Sequence, residues 1–343
     1  MKKMIALVLA LMLLTGILAV PAMAEETQVK KGGRLAYLAL SEEEDQALGV
    51  PLRRPLLKIL GLRGVFIQEA ETILPHTVQP RRYYDSLNAL LLALESGEAY
   101  DIKLPYYTAK YLCATNAGLK IREEYYPEKA TGLAEWALSL FSDGYAFMMK
   151  EENTALRDAF DAQITAMKED GTLQKLIDEH IIKVSEGGKP VAVDFEQFAG
   201  EPIKVAVTGA LPPMDYVATD GSFGGFNTAV LAEIGKRLQK NIQLVQVDSI
   251  GRALALAEGT VDVAFWTRGP SEKLVEILKT GEGLEEIMAK AQDTFSDEEK
   301  AIFEEYEMPS QEMLAKWYTR DMPENTIITQ PYFSDITVRV RLK

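Results

Sequence analysis

The hydrophobic and polar positions between residues 203 and 268 follow a regular pattern. Three apolar runs, at 203–207, 242–247 and 261–266, alternate with two segments in which apolar residues recur at helical spacing. The second helical segment ends at Gly259, a residue type suited to the left-handed conformation that often ends a helix. The pattern predicts strand, helix, strand, helix, strand, and therefore a parallel sheet flanked by helices.

Candidate ligand-binding residues follow two of these predicted strands. In sheets of this kind, small ligands bind at the carboxyl ends of the strands. Those ends carry Asp215 and Tyr216 after the first run, and Trp266, Thr267 and Arg268 at the end of the third. A guanidinium can hold a carboxylate through two parallel hydrogen bonds, an aromatic face can stack on a ligand or engage a cation, and a carboxylate can accept from an amine.

Three of these residues also have a structural explanation. Arg268 could pair with a local acid, Trp266 could belong to the core, and Asp215 could cap the turn in which it lies. Asn227, at the start of the helical segment between the first and second apolar runs, is a sixth candidate, and helix capping would explain it equally well.

The same segment resembles lobe 1 of the type 2 periplasmic, or extracellular, solute-binding proteins, in their amino-acid-binding branch. The resemblance is carried by a set of short matches in family order: residues 205–209, the turn at 211–216, residues 225–227, and residues 255–259 with 261–263. It implies an α/β fold of two lobes, each a mostly parallel sheet flanked by helices, with the ligand held between them. In the family an arginine after a Ser/Thr-rich turn holds the substrate carboxylate, and Thr267 and Arg268 stand nearest to that position.

The second lobe of the predicted cleft departs from the family. Ser41 opens a helix with a capping-box pattern and could donate to an anion, although capping explains it without a ligand. The aspartate that binds the substrate amine in the family would follow Asp101, but the sequence there reads Pro-Tyr-Tyr at 105–107. The departure leaves Tyr106 or Tyr107 to face the cleft, and it argues against recognition of an ordinary α-amino acid.

The order of the two lobes is exchanged relative to the family. Residues 31–183 resemble lobe 2 with its closing helices, residues 184–201 form a linker, and residues 202–343 resemble lobe 1. Residues 329–340 resemble the strand that crosses from lobe 1 to lobe 2, and an apolar cluster at 137–149 also predicts strand. We interpret the order as a circular permutation around one shared cleft; two separate, reduced binding units are the alternative.

Residues 269–323 form an acidic insertion with helical patterning. It could consist of helices packed on lobe 1, or it could act as a lid or a docking surface. The family pattern lacks this segment or keeps it much shorter.

The beginning of the chain predicts export. Residues 1–24 combine two lysines, an apolar stretch and a small-x-small cleavage pattern at Ala22-Met23-Ala24. Their removal would change the formal net charge from -14 to -16, which argues against nucleic acid or anionic lipid as a partner. No cysteine lies near the cleavage pattern, so a lipid anchor is not encoded, and the single cysteine, Cys113, has no disulfide partner within the chain.

These observations predict a periplasmic or extracellular binding protein, not an enzyme. It would capture a small polar solute, an amino acid or a related carboxylate, by hinge closure and deliver it, as a monomer, to the membrane subunits of an ABC importer. The two histidines, His76 and His180, lie in different segments without a nucleophile or metal-binding motif, and we expect no cofactor and no metal. The alternatives are an exported lyase or dehydratase on the same scaffold, and a sensory or docking protein with a degenerate cleft.

Overall fold

The computed structural model describes residues 35–38, 81–84, 86–122, 132–218, 220–248, 251–280, 289, 293, 295–297, 300 and 322–343. The predicted export signal, Ser41, His76 and most of the acidic insertion lie outside these residues.

One sheet, called sheet A, contains strands from both ends of the chain. The order of its strands is β2-β1-β3-β14-β4. They are β1 (Leu35–Leu38), β2 (Arg81–Tyr84), β3 (Asp101–Pro105), β4 (Leu119–Ile121) and β14 (Thr337–Leu342). Two helices pack on this sheet, α1 (Leu87–Glu95) and α2 (Tyr106–Thr115). Ser86 caps α1, since its hydroxyl accepts from the Ala89 N–H at 3.2 Å.

A second sheet, called sheet B, contains the strands that the periodicity of residues 203–268 predicts. The order is β10-β6-β11-β5-β12, and β13 also pairs with β5. The strands are β5 (Asp143–Lys150), β6 (Ile203–Val207), β10 (Ile242–Gln246), β11 (Val263–Gly269), β12 (Thr326–Ile328) and β13 (Phe333–Asp335). A small antiparallel sheet, β7 (Ala210–Leu211), β8 (Asp215–Val217) and β9 (Phe223–Gly224), lies between β6 and the next helix.

The remaining helices of the described residues follow β4, β5, β9, β10 and β11 along the chain. They are α3 (Gly132–Phe141), α4 (Thr154–Glu169), α5 (Thr172–Ile177), a π-helical turn (Asp178–Ile182), α6 (Lys183–Ser185), α7 (Phe226–Leu238), α8 (Gly251–Glu258) and α9 (Glu272–Thr280). The prediction of strand on both sides of a turn at Asp143-Gly144, within 137–149, is wrong for its first part, because α3 continues to Phe141. Asp143 and Gly144 are the first two residues of β5 and not a turn. Strand begins only at Asp143.

Each sheet contains one strand from the other half of the chain. Strand β14, at the end of the chain, lies between β3 and β4 and is antiparallel to both. Strand β5, from the first half, is antiparallel to β11. The other described strands of each sheet run in one common direction. The sheets therefore do not divide between 183 and 202 as the predicted lobes do, and the exchange favours one shared fold over two separate units.

An ionic contact accompanies the exchange in sheet A. Asp101, fully buried on β3, accepts a hydrogen bond from Arg341 Nε on β14 at 2.9 Å and one from Arg122 Nη1 at 2.7 Å. Because Asp101 is buried, moving Arg341 out of reach would remove one of its charged partners at a site that water does not reach, which is destabilising. The contact therefore specifies the register of β14 on β3.

The core of sheet B joins residues from both halves. Phe147 on β5 stacks on Tyr332 with ring centroids 4.7 Å apart, and meets Phe160 of α4 edge-on at 5.3 Å. Tyr332 in turn lies 5.8 Å from the ring of Phe226 on α7. All four rings are at most 2% exposed, so each contributes about 2–3 kcal/mol of burial.

The described part of the acidic insertion packs on the protein. On α9, Leu274 and Ile277 are buried, and the Ser271 hydroxyl just before the helix donates to the Leu140 carbonyl of α3 at 2.8 Å. This described part of the insertion is therefore a helix, α9, that packs against the rest of the protein.

The predicted fold class is confirmed: two α/β lobes, each with a mostly parallel sheet flanked by helices. Within the described residues, no helix is both long enough and apolar enough to cross a membrane.

The strand exchange makes a direct prediction about fragments. A chain ending at Gly188 lacks β14, and a chain beginning at Lys189 lacks β5, so each should remain largely unfolded alone because a central strand of its sheet is missing. Co-expression should restore a folded complex, which circular dichroism and gel filtration would detect. Two fragments that each unfold cooperatively by themselves would contradict the exchange.

Candidate functional site

The turn after β6 is held by a single carboxylate oxygen. Asp215 Oδ2 accepts from the Thr208 N–H at 2.9 Å, the Thr208 hydroxyl at 2.8 Å and the Gly209 N–H at 2.8 Å. Asp215 is only 4% exposed. Its three donors show that Asp215 caps the turn at the carboxyl end of β6. Capping was one of the two explanations that the sequence left open, the other being a contact with a ligand amine.

Asn227 has a buried partner of its own. Its Oδ1 accepts from the Tyr332 hydroxyl at 2.9 Å, and both residues are at most 2% exposed. Burial raises the pKa of Tyr332 well above its ordinary value. Asn227 therefore ties α7 to the segment that leads into β13, and it does not act as the helix cap that its sequence position suggested.

Tyr216 lies close to the opposite lobe. Its hydroxyl donates to the Val191 carbonyl at 2.9 Å, and its ring leaves no room for a Cβ at Gly224. Burial, and to a lesser degree the Tyr111 phenol, raise the pKa of Tyr216. Because Tyr111 belongs to α2 on sheet A, Tyr216 is placed where the two lobes approach each other.

Strand β11 ends in an irregular stretch at the same sheet edge. Its pairing with β5 shifts register between Trp266 and Gly269, as in a β-bulge, a feature often found beside functional sites. The Trp266 ring packs against the small cluster that includes Met148 and Ala264, and its buried indole N–H has no hydrogen-bond partner in the described part of the chain. Thr267 is half-buried, and the backbone of Arg268 lies in β11.

A second arginine, which the sequence reading did not select, lies at this edge. Arg252, in the first turn of α8, donates from Nη1 to the Phe265 carbonyl of β11 at 3.0 Å. Burial lowers the pKa of its guanidinium, and the carboxylate of Asp215 opposes that shift. In the sequence, Arg252 lies shortly after the carboxyl end of β10, and this position could have indicated a site residue. Helical periodicity, however, assigns Arg252 to the polar face of α8.

On the sheet A side, the structure distinguishes the two tyrosines after β3. Tyr106, the predicted ligand-binding residue, is fully buried in the core of sheet A because it begins α2 with its ring under the helix. Tyr107 is half-buried and packs against the cores of both sheets, with its ring 5.8 Å from that of Phe333. Of the two, Tyr107 is the one that lies between the lobes. Ser41 lies outside the described residues.

Asp215, Tyr216, Arg252 and the end of β11 thus lie together at the carboxyl edge of sheet B. Asn227 lies behind them in the core. Across the described residues, no group of three or more His, Cys, Asp or Glu side chains is arranged to hold a metal ion.

Comparison with known families identifies the segment that builds this edge. Residues 203–276 match the bacterial extracellular solute-binding proteins, family 3. The match runs from β6 into α9 and includes Asp215, Tyr216, Arg252 and Arg268. The predicted resemblance is confirmed over this segment. Comparison with curated proteins gave no significant match.

Several solved structures align with most of the chain at low identity. An ABC transporter protein from Parabacteroides distasonis is 11% identical, with a TM-score of 0.32, over 92% of this chain and 67% of that one. The VFT2 domain of BvgS from Bordetella pertussis is 10% identical, with a TM-score of 0.33, over 93% and 84%. A phosphate-binding protein of a phosphate ABC transporter from Streptococcus pneumoniae is 9% identical, with a TM-score of 0.33, over 90% and 88%. Likeness at this level does not bear on ligand or partner.

The structural role of Asp215 can be tested without a ligand. Asp215→Asn removes the negative charge from the group that accepts three hydrogen bonds, and should lower the free energy of unfolding by about 3 kcal/mol because charge-assisted bonds become neutral ones. Urea unfolding would measure the loss. Asp220→Asn is the matched control, because Asp220 accepts from Ser222 in an exposed turn and its replacement should cost less than about 1 kcal/mol. Equal, small effects of both variants would contradict the assignment.

Proposed function

We propose that this protein binds a small polar solute with a carboxylate, an amino acid or a related compound, between its two lobes. The observation that carries the proposal is the guanidinium of Arg252 at the carboxyl edge of sheet B, inside the segment that matches the solute-binding family. A half-buried guanidinium attracts an anion more strongly than an exposed one, because less water screens it. The match of residues 203–276 to a family of solute-binding proteins supports a role in binding without catalysis.

Five of the eight predicted site residues have a role in this proposal, together with Arg252 and Tyr107. Arg252 and Arg268 would hold the carboxylate, and Tyr216 and Trp266 would line the site with aromatic faces. Tyr107 would face the ligand from the other lobe in place of Tyr106. Asp215 and Asn227 would position these side chains rather than contact the solute, since Asp215 Oδ2 already accepts three hydrogen bonds and Asn227 Oδ1 accepts one from Tyr332.

The circular permutation of the two lobes and the export of the protein are part of the same proposal. The exchange of β5 and β14 supports a circular permutation of the family's lobe order, with the linker at 184–201 joining what the family keeps apart. Export by residues 1–24 would place the binding protein outside the cytoplasm, where it would deliver its solute as a monomer to the membrane subunits of an ABC importer. Closure of the lobes would convert ligand binding into a shape that those subunits recognise.

Arg252→Gln should weaken binding of the solute by about 10- to 100-fold, because a charge-assisted contact contributes roughly 1.5–3 kcal/mol. Native mass spectrometry of the purified protein, followed by a thermal-shift screen of amino acids and related carboxylates, would find the solute. At about a hundredfold excess over its dissociation constant it should stabilise the protein by about 2.7 kcal/mol. Titration calorimetry would then compare the variants.

The matched control is Arg157→Gln, because Arg157 pairs with Asp158 on the outer face of α4 and should not affect binding. Unchanged affinity in Arg252→Gln would contradict the assigned site. Turnover of a bound compound, seen by mass spectrometry, would favour the lyase or dehydratase alternative.

A further inference from the structure

The described crossing between the lobes is very short. Strand β13 ends in sheet B at Asp335, and β14 begins in sheet A at Thr337, so only Ile336 separates them. A rotation of one lobe against the other must be taken up by few backbone torsions here, as in other hinges. Contacts that join the two lobes at Asp335 therefore bear directly on closure.

The carboxyl group of Asp335 makes such contacts. Its Oδ1 accepts from the Ile336 N–H at 2.8 Å, and its Oδ2 accepts from the Tyr107 N–H in the first turn of α2 at 3.3 Å. Beside it, the Tyr106 N–H donates to the Ile336 carbonyl at 2.8 Å. Asp335 is 5% exposed, so this carboxyl is enclosed at the point where sheet B meets the helix of the other lobe.

A second carboxyl group faces Asp335 across the strand pair. Asp143, the first residue of β5, is the register partner of Asp335 on β13. Strand β5 also presents the buried Tyr145 phenol to this region. Helix α2 presents the backbone N–H groups of Tyr106 and Tyr107, and the crossing presents that of Ile336. Burial, chiefly, and the Asp143 charge raise the pKa of Asp335 to about 8, although the N–H groups act in the opposite direction.

We propose that Asp335 is a protonation switch in the hinge. The neutral carboxyl keeps β13 and α2 together, and its ionisation favours separation of the lobes. Release of the solute then becomes linked to release of a proton, and only this last consequence rests on the proposed function.

The direction of the pH effect follows from the burial of the Asp335 carboxyl. Burial is the largest influence on this carboxyl, so its ionised form is stabilised in any arrangement that lets water reach it. In water the pKa of an aspartate is near 3.8, whereas in the enclosed junction it is about 8. At any pH between about 3.8 and about 8, separation of the lobes is therefore accompanied by release of a proton from Asp335. The ratio of open to closed molecules should rise by up to about tenfold per pH unit until the pH passes about 8.

A distance measurement between the lobes tests the switch without any ligand. Leu92→Cys on α1 and Leu254→Cys on α8 provide label sites, because these leucines are 64% and 60% exposed and lie on opposite lobes. Cys113→Ser removes the native thiol. Pulsed electron resonance between nitroxide labels on the full chain, from about pH 6 to about pH 9.5, should show the distance increasing as Asp335 ionises.

The variants decide the outcome. Asp335→Asn keeps the shape and cannot ionise, so its distance should stay constant across this range. Asp143→Asn removes the facing charge and should move the transition to lower pH. Asp158→Asn, an exposed carboxylate on α4, should leave the wild-type profile unchanged.

A wild-type distance that does not change with pH would overturn the proposal, as would a transition that persists in Asp335→Asn. If Asp335→Asn does not fold, as judged by circular dichroism, the shift in Asp143→Asn decides alone, and an unchanged midpoint rejects the switch. If the wild-type distance changes with pH but no solute binds at any pH, the switch is supported and the proposed function fails. If a solute binds but the distance does not change with pH, the switch fails and the proposed function stands.

Discussion

The antiparallel pairing that inserts β14 between β3 and β4, and β5 beside β11, is the interaction on which the rest of the structure depends. Neither sheet is complete without a strand from the other half of the chain. The ion pair between the buried Asp101 and Arg341, and the stacked rings of Phe147 and Tyr332, make this pairing specific, because a change of register would move charged and aromatic groups out of their partners' reach.

The pairing also determines where the candidate site and the hinge lie. Strand β5 pairs with β11, and this pairing becomes irregular at the carboxyl end of β11. Arg252 and Asp215 lie at the same edge of sheet B as this irregular end. Because β14 must reach sheet A immediately after β13, the crossing is reduced to Ile336 and brings Asp335 against the first turn of α2. One topological feature thus places a half-buried guanidinium beside the expected cleft and a buried carboxyl at the crossing between the lobes.

The sequence predicts the part of the fold that is local. Alternation of apolar runs and helical periodicity between 203 and 268 corresponds to β6, α7, β10, α8 and β11, and the resemblance of residues 329–340 to a crossing strand corresponds to β13 and β14. Periodicity could not separate α3 from β5 within 137–149, since a short apolar run is compatible with either. It also could not distinguish Tyr106 from Tyr107, because that depends on how α2 is seated on sheet A. The importance of Arg252 and of Asp335 arises from contacts with residues far away in the chain, which local patterns do not contain.

Amide hydrogen exchange of the full-length protein, followed by mass spectrometry of peptides covering 143–150 and 336–343, tests the strand exchange most directly. Both peptides contain a central strand, so the account predicts that their amides are protected and become exposed together, in the same cooperative opening as β3 and β6. Rapid exchange of the 336–343 peptide, while β3 remains protected, would show that β14 is not part of sheet A and would contradict the account.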